Sequence, residues 1–180
     1  MRVFPRRNVN GVDTVFGVLA VLRDRRCEPA WYRVQLPIRP NGATGYVRAA
    51  AVAPFVVHTR IEADLSKRRI DFFRDGRRLL RATAGIGSSS TPTPVGRYYV
   101  NQRLRPTDPS GPFGPGAIGI SAFSPVLTAW AQGGPIAIHG TSDPSSVGRA
   151  VTHGCLRIAN PELARMFLAM PEGTPVFIHA

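Results

Sequence analysis

The chain has almost no lysine and few acidic residues. Lys67 is the only lysine among 23 basic residues, which face 11 acidic residues and give a formal net charge of +12. The excess is spread along the chain, with ten arginines against three acids in residues 1–60 and thirteen bases against eight acids in residues 61–180. Spread charge favours general attraction to an anionic polymer, whereas a nucleic-acid binder needs a clustered basic face interleaved with aromatic side chains. We therefore predict no specific nucleic-acid partner.

Cysteine is also scarce. Cys27 and Cys155 lie 128 positions apart, and neither belongs to a C-x-x-C pair, so the spacing does not predict a disulfide. A structural zinc site needs four ligands, and only His139, His153 and Cys155 lie close together in the sequence. We therefore predict neither a metal nor a cofactor.

The sequence lacks a long hydrophobic run. The apolar run nearest the amino terminus, residues 15–22, is eight residues long and contains Gly17. It is too short to cross a membrane and lacks the order of basic and apolar regions that a signal peptide requires. We predict no transmembrane segment, see no export signal in the given sequence, and interpret this run as a buried strand.

Sustained helical periodicity is rare because 17 prolines and 18 glycines interrupt the chain. One helix is predicted within residues 161–173, where three apolar residues share a face: Leu163, Met166 and Phe167. Elsewhere short apolar runs predict strands, and Asp75 with Gly76 predicts a two-residue hairpin turn between two of them. The fold class is therefore mainly β, and a boundary near Pro54 predicts one module over residues 1–56 and another over residues 57–180.

The most informative stretch is VTHGCLRIAN, residues 151–160. A cysteine becomes a nucleophile when a base takes its proton or its pKa falls, so the neighbours of Cys155 predict a lowered pKa for its thiol. His139 lies sixteen positions upstream and His153 two positions upstream, and spacing alone does not choose between them. Gly154 allows a tight turn whose N–H groups can face a developing oxyanion. The alternative is that Cys155 is a small buried apolar side chain without chemistry.

These residues resemble the catalytic domain of the L,D-transpeptidases, the cysteine enzymes of peptidoglycan cross-linking. The family pattern is a His-Gly pair, a loop with another glycine, then Ser or Thr before His-Gly-Cys, and Arg or Asn two places on. The matching residues are His139, Gly140, Gly148, Thr152, His153, Gly154, Cys155 and Arg157, with Asn160 following. The resemblance covers roughly residues 58–179, a length typical of one domain. The upstream stretch WYRVQLPIRPNGATGYVRAAAV is similar to a bacterial SH3-like module.

The resemblance implies a small SH3-like β-barrel followed by an L,D-transpeptidase-type β-sandwich with one or two short helices. It implies that Cys155 is the nucleophile and His139 the general base, oriented by the carbonyl of Gly140. The amides of His153, Gly154 and Cys155 would form the oxyanion hole. Thr152, Arg157 and Asn160 are assigned to substrate binding, with Arg157 holding a stem-peptide carboxylate. The long loop over residues 103–123 is predicted to face the substrate.

The implied activity is acyl transfer through a thioester in cell-wall biogenesis. The bond before the terminal D-alanine of a tetrapeptide stem is cleaved, and the acyl group passes to an amine of a second stem, giving a 3→3 cross-link. Two alternatives stay open: an L,D-carboxypeptidase that trims the stem, and a non-catalytic basic protein that binds the wall. The implied partners are donor and acceptor stem peptides, with an anionic cell-wall polymer as a further candidate. The implied location is the cell wall, the periplasm or the extracellular space.

Overall fold

The computed structural model describes residues 2–180, which are mainly β. It contains one α-helix, α1 (Asn160–Ala169), and short 3₁₀ turns at Ala49–Ala51, Ala131–Gly133 and Pro144–Ser146. The strands are β1 (Gly17–Arg23), β2 (Pro29–Gln35), β3 (Thr44–Arg48), β4 (Thr59–Asp64), β5 (Arg69–Arg74), β6 (Arg77–Thr83), β7 (Ile86–Gly87), β8 (Gly96–Leu104), β9 (Ala117–Phe123), β10 (Pro135–His139), β11 (Ala150–Thr152), β12 (Leu156–Arg157) and β13 (Pro175–His179). No helix of the described residues is long and apolar enough to span a membrane.

Eight strands form one mixed sheet in the order β12-β10-β9-β8-β13-β4-β5-β6. The pairs β10 with β12 and β13 with β4 are parallel, and the other neighbours are antiparallel. β5 and β6 are joined by Asp75 and Gly76, whose φ angles of 49° and 76° are those of a tight hairpin turn. The predicted hairpin is therefore confirmed.

The eight-stranded sheet curls around one apolar core. Leu80 on β6 and Leu156 on β12, at opposite ends of the sheet, belong to the same buried cluster. The helix α1 adds Leu163, Met166 and Phe167 to this cluster, which confirms the predicted helix and its apolar face. The predicted sandwich therefore takes the form of one curled sheet with α1 against its inner face.

The amino-terminal strands form a separate antiparallel sheet in the order β1-β2-β3. The run at residues 15–22 does supply a strand, but the prediction that it is buried is wrong, because Val18 is 52% and Leu19 49% exposed. Strand β1 is an edge strand that pairs with β2, and none of its residues is buried, so neither face of this strand is covered by a second layer. The SH3-like barrel and the module boundary at residues 56 and 57 stay predictions.

This amino-terminal part packs on the outer face of the large sheet, opposite the apolar core. The hydroxyl of Tyr99 on β8 donates to the carbonyl of Val15 at 3.0 Å, and the Gln35 amide donates to the carbonyl of Arg97 at 2.9 Å. A Cβ on Gly17 would lie 2.7 Å from the Tyr99 ring, so the backbone approaches this ring closely. The outer face of the large sheet is therefore partly covered near β8.

Candidate active site

The candidate nucleophile and base lie on one face of two neighbouring parallel strands. Ile138 of β10 is opposite Leu156 of β12, and His139 is opposite Arg157. Ile138 and Leu156 point into the core, so the alternate side chains point to the outer face. Cys155 directly precedes Leu156 and therefore shares the outer face with His139, two positions along the adjacent strand. The register thus brings the thiol and the imidazole to one side of the sheet.

The imidazole of His139 is buried, with 3% of the residue exposed. Its Nδ1 hydrogen-bonds to the Gly140 carbonyl at 2.6 Å, and because a carbonyl only accepts, Nδ1 carries the proton. The pKa of His139 is lowered to about 4, mainly because the ring is buried and also because of the positive charge of Arg157, while the hydrogen bond to the Gly140 carbonyl opposes the shift. The imidazole is therefore uncharged at neutral pH, and its Nε2 can accept a proton.

The thiol of Cys155 is also uncharged at neutral pH. Burial raises its pKa above the ordinary value, and this outweighs a hydrogen bond from the Ala137 backbone and the charge of Arg157. The predicted lowering of this pKa is therefore wrong, since loss of water around the sulfur outweighs its favourable neighbours. A neutral thiol and a neutral imidazole favour proton transfer during nucleophilic attack over a preformed ion pair.

We expect alkylation of Cys155 by iodoacetamide to become fast only above the free-thiol midpoint near ~8.5, because the thiolate is the reactive form and burial disfavours it. The measurement is the alkylation rate against pH in a Cys27→Ser variant, which leaves Cys155 as the single thiol. Cys155 alkylated in urea supplies the unfolded reference. A midpoint in the folded protein below that of the unfolded reference would contradict the expectation.

The turn before Cys155 is organised by the hydroxyl of Thr152. Its Oγ1 accepts from the Gly154 N–H at 3.1 Å and donates to the Cys155 carbonyl at 2.6 Å, and Thr152 is 1% exposed. The Gly154 amide is therefore used within the turn. Within residues 2–180 the amides of His153 and Cys155 donate to no protein acceptor. These two N–H groups are the ones available to an oxyanion.

A segment that is distant in the sequence, residues 87–94, supports this turn; it ends in the motif TPTP, residues 91–94. The carbonyl of Thr152 accepts from the Thr91 hydroxyl at 2.8 Å and from the Ser88 N–H at 3.0 Å. The Thr93 hydroxyl accepts from the Gly87 N–H at 2.9 Å, which fixes the same segment to β7. The sequence predicted no role for TPTP, residues 91–94, and the structure places this motif behind the nucleophile turn.

The side chain of Asn160 fixes the backbone that follows His139. Its Oδ1 accepts from the Thr141 N–H at 2.8 Å, and its Nδ2 donates to the Thr141 carbonyl at 3.0 Å. The loop predicted over residues 103–123 is shorter in the structure, because residues 117–123 form β9 and β8 extends to Leu104, which leaves residues 105–116. A Cβ on Gly114 or on Gly140 would overlap Asn160 Oδ1, so this loop crosses closely at this point. Asn160 therefore fixes the backbone at Thr141 and is packed closely by this loop, and its predicted contact with substrate stays a prediction.

Four further side chains surround the outer face. The Nε of Arg157 is buried without a hydrogen-bond partner in the described part of the chain. His153 is exposed and its ring lies 5.0 Å from that of Trp130, while Phe113 packs edge-on against His139 at 5.1 Å. Sequence reasoning missed Phe113 and Trp130, for which the only signal is an aromatic residue within a segment rich in proline and glycine.

Comparisons with known proteins agree with this geometry. A family model for the YkuD L,D-transpeptidase catalytic domain matches residues 58–178. YkuD of Bacillus subtilis is 29% identical over 126 residues, 70% of this chain and 69% of that protein. YkuD of Bacillus licheniformis is 31% identical over 125 residues, 69% of this chain and 68% of that protein.

Solved structures share the fold. L,D-transpeptidase 3 from Mycobacterium tuberculosis, in complex with a faropenem-derived adduct, is similar with a TM-score of 0.54 and 19% identity. The match covers 68% of this chain and 60% of that chain. The family model spans more than half of the chain and includes every residue of the candidate site. The chain therefore belongs to the YkuD family of L,D-transpeptidase catalytic domains.

Proposed function

We propose that this protein is a peptidoglycan L,D-transpeptidase whose nucleophile is Cys155 and whose general base is His139. The observation that carries the proposal is the placement of a buried neutral imidazole and a thiol on one face of β10 and β12. Two backbone N–H groups beside the thiol, those of His153 and Cys155, have no protein acceptor and can stabilise the negative charge on the oxyanion that forms during acyl transfer. The family membership supports peptidoglycan stem peptides as the substrates.

The acylation step uses His139 first as base and then as acid. Nε2 takes the thiol proton while Sγ attacks the carbonyl of the third stem residue, and the resulting oxyanion faces the amides of His153 and Cys155. When the tetrahedral intermediate collapses, the C–N bond to the terminal D-alanine breaks and the imidazolium returns its proton to the leaving amine. D-Alanine departs, and the donor remains on Cys155 as a thioester.

The second half-reaction reverses these roles. An amine from the third residue of an acceptor stem attacks the thioester, His139 takes the proton released by that amine, and the thiol leaves protonated. The product is the 3→3 cross-link. Water at the same position would give the trimmed tripeptide of an L,D-carboxypeptidase.

We assign a carboxylate of the stem peptide to Arg157. Its Nε is buried and unpartnered on the side of the sheet that carries Cys155, and a guanidinium pairs with a carboxylate through two parallel hydrogen bonds. Thr152 and Asn160 act through the backbone, because Thr152 organises the nucleophile turn and Asn160 holds the chain after Gly140. We place the protein at the cell wall. There, an SH3-like module over residues 1–56 and the positive charge spread along the chain would favour binding to an anionic polymer.

The test is the intact mass of the protein after incubation with a disaccharide-tetrapeptide donor. We expect an adduct equal to the donor minus its terminal D-alanine, and no adduct on a Cys155→Ala variant. Addition of an acceptor stem should then release a cross-linked dimer, whereas release of tripeptide alone would favour the carboxypeptidase. If the unmodified protein forms no adduct and releases no D-alanine, the non-catalytic wall-binding alternative replaces the proposal.

A further inference from the structure

A groove of about 470 Å³ lies between the amino-terminal segment and the outer face of the large sheet. One wall is formed by residues of the first fifteen positions, among them Phe4 and Asn10, and the other by Gln102 of β8 and by Gln132 with Pro135 near the start of β10. None of these residues takes part in the acyl-transfer steps above. The groove is therefore a separate cavity on the face that carries the nucleophile.

The end of the groove lies close to the nucleophile along β10. Pro135 lines the groove, and Ala137, two residues later on the same face, lies opposite Cys155 in the register of β10 and β12. Two residues of strand span about 6.6 Å. In the proposed reaction the attacked carbonyl belongs to the third residue of the stem, and three extended residues reach about 10 Å. A stem that runs back along β10 from Cys155 thus places its sugar end in the groove.

Amide side chains that line the groove leave polar atoms without a protein partner, among them the buried Asn101 Oδ1. Gln102 Oε1 accepts from Asn8 Nδ2 at 3.0 Å and from Asn10 Nδ2 at 2.9 Å, and Asn10 Oδ1 accepts from Gln132 Nε2 at 3.3 Å. Among residues 2–180 no protein group pairs with the remaining functions, Gln102 Nε2 and Gln132 Oε1. An acetamido group offers the complement, because its carbonyl accepts and its N–H donates.

The other lining groups suit an acidic sugar. Phe4 and Phe123 provide aromatic surfaces, and the guanidinium of Arg2 lies 5.6 Å from the Phe4 ring centre, as does that of Arg39 from Phe123. In the described residues no aspartate or glutamate lines the groove, so a carboxylate there meets only positive charge. Aromatic surface with a few polar groups and cations is typical of a site for a polar ring-shaped ligand that carries an acid.

We propose that this groove binds the disaccharide of the donor, an N-acetylated sugar pair with an acidic ether substituent. The inference rests on the proposed acyl transfer, because the length of the stem peptide bound at Cys155 sets how far from Cys155 the sugar lies. The amino-terminal segment is thus part of the substrate site, and the polar contacts of Asn8 and Asn10 hold it against the sheet.

The experiment compares two donors, the disaccharide-tetrapeptide and the sugar-free tetrapeptide, in the full chain. We expect kcat/KM for acylation to be about tenfold higher for the disaccharide donor, and Phe4→Ala or Gln132→Ala to remove about tenfold from that donor alone. Val3→Ala is the matched control, because Val3 is adjacent to Phe4 but 78% exposed and outside the groove. Equal use of both donors by the unmodified protein, or an equal loss on both donors in the variants, would overturn the proposal.

A second arm separates this proposal from the failure of the acyl transfer itself. The peptide-free disaccharide is titrated into the protein and followed by ligand-observed NMR. Saturable binding that Phe4→Ala weakens about tenfold and Val3→Ala leaves unchanged supports the groove even if neither donor acylates Cys155. Absence of binding together with absence of acylation overturns both proposals, and absence of binding with equal acylation by both donors overturns this one alone.

Discussion

Replacement of His139 by glutamine is expected to lower the rate of Cys155 acylation by about 10²–10⁴-fold, the usual contribution of a general base. Glutamine keeps an N–H that can donate to the Gly140 carbonyl and occupies a similar volume, so the fold should survive. The variant loses the basic Nε2 of the imidazole, because the amide of glutamine is not a base. Because the thiol has a raised pKa, it cannot supply thiolate at neutral pH without this base. The measurement is the adduct mass against time after addition of the disaccharide-tetrapeptide donor.

His153→Gln is the matched control for this change. His153 is exposed and its ring packs on Trp130, so its loss should alter donor binding more than proton transfer. We expect this variant to acylate Cys155 within about tenfold of the unmodified protein, the range of a modest binding loss. If His153→Gln abolishes acylation while His139→Gln retains it, the assignment of the base is wrong.

The pH profile gives the same prediction a second readout. A base is competent when it is deprotonated, and burial lowers the pKa of His139 to about 4. The acylation kcat/KM of the unmodified protein should therefore hold from neutral pH downward and fall only as pH approaches 4, provided that the protein remains folded. A fall centred at the ordinary histidine value near ~6.5 would contradict the combination of a buried His139 and its role as the base.

The local features of this fold were predictable from the sequence because they depend on neighbouring residues. The hairpin at Asp75 and Gly76 follows from turn chemistry, and the helix α1 follows from three apolar residues at helical spacing. The motif around Cys155 could likewise be identified from residues close in sequence. Each of these predictions needed no knowledge of which strands pair.

The proposal of His139 over His153 as the base could not be reached from spacing. It rests on the parallel register of β10 and β12, which sets His139 on the face of Cys155 and which pairs residues far apart in the sequence. The direction of the Cys155 pKa shift depends on burial by distant segments, which a local motif does not reveal. The exposure of β1 has the same origin, because a continuous apolar run does not show whether a second layer covers it.

Replacement of Gly154 by alanine is expected to destabilise the protein by about 2–4 kcal/mol and to slow acylation by about 10²-fold. Gly154 has a φ of 110°, a backbone conformation that residues other than glycine rarely adopt, so alanine there is strained by about 1–3 kcal/mol. Its Cβ would also lie 2.9 Å from Ile136 Cδ1, so the end of that side chain must shift, at a further cost of about 1 kcal/mol, the low end of the range for overpacking.

The effect on acylation follows from the turn itself. The amides of His153 and Cys155 flank Gly154, and the loss of one oxyanion donor typically costs about 10²–10³ in rate. A turn that relieves strain at Gly154 rotates these neighbouring peptide groups, so the oxyanion loses aligned donors even where the thiol and imidazole stay in place. Acylation must therefore be measured at a temperature where the variant is still fully folded.

Gly42→Ala separates backbone strain from the function of this turn. Gly42 has a φ of 81°, and a Cβ there would meet nothing within 4 Å, so the change should cost about 1–2 kcal/mol of strain and leave acylation unchanged. Urea unfolding of both variants gives their stabilities, and the adduct assay gives their rates. If Gly154→Ala loses no more stability than Gly42→Ala and acylates at the unmodified rate, the close packing around Gly154 does not hold the nucleophile turn. A larger loss of both stability and rate would mean that glycine at position 154 is needed both to stabilise the turn and to aim its two amides at the oxyanion.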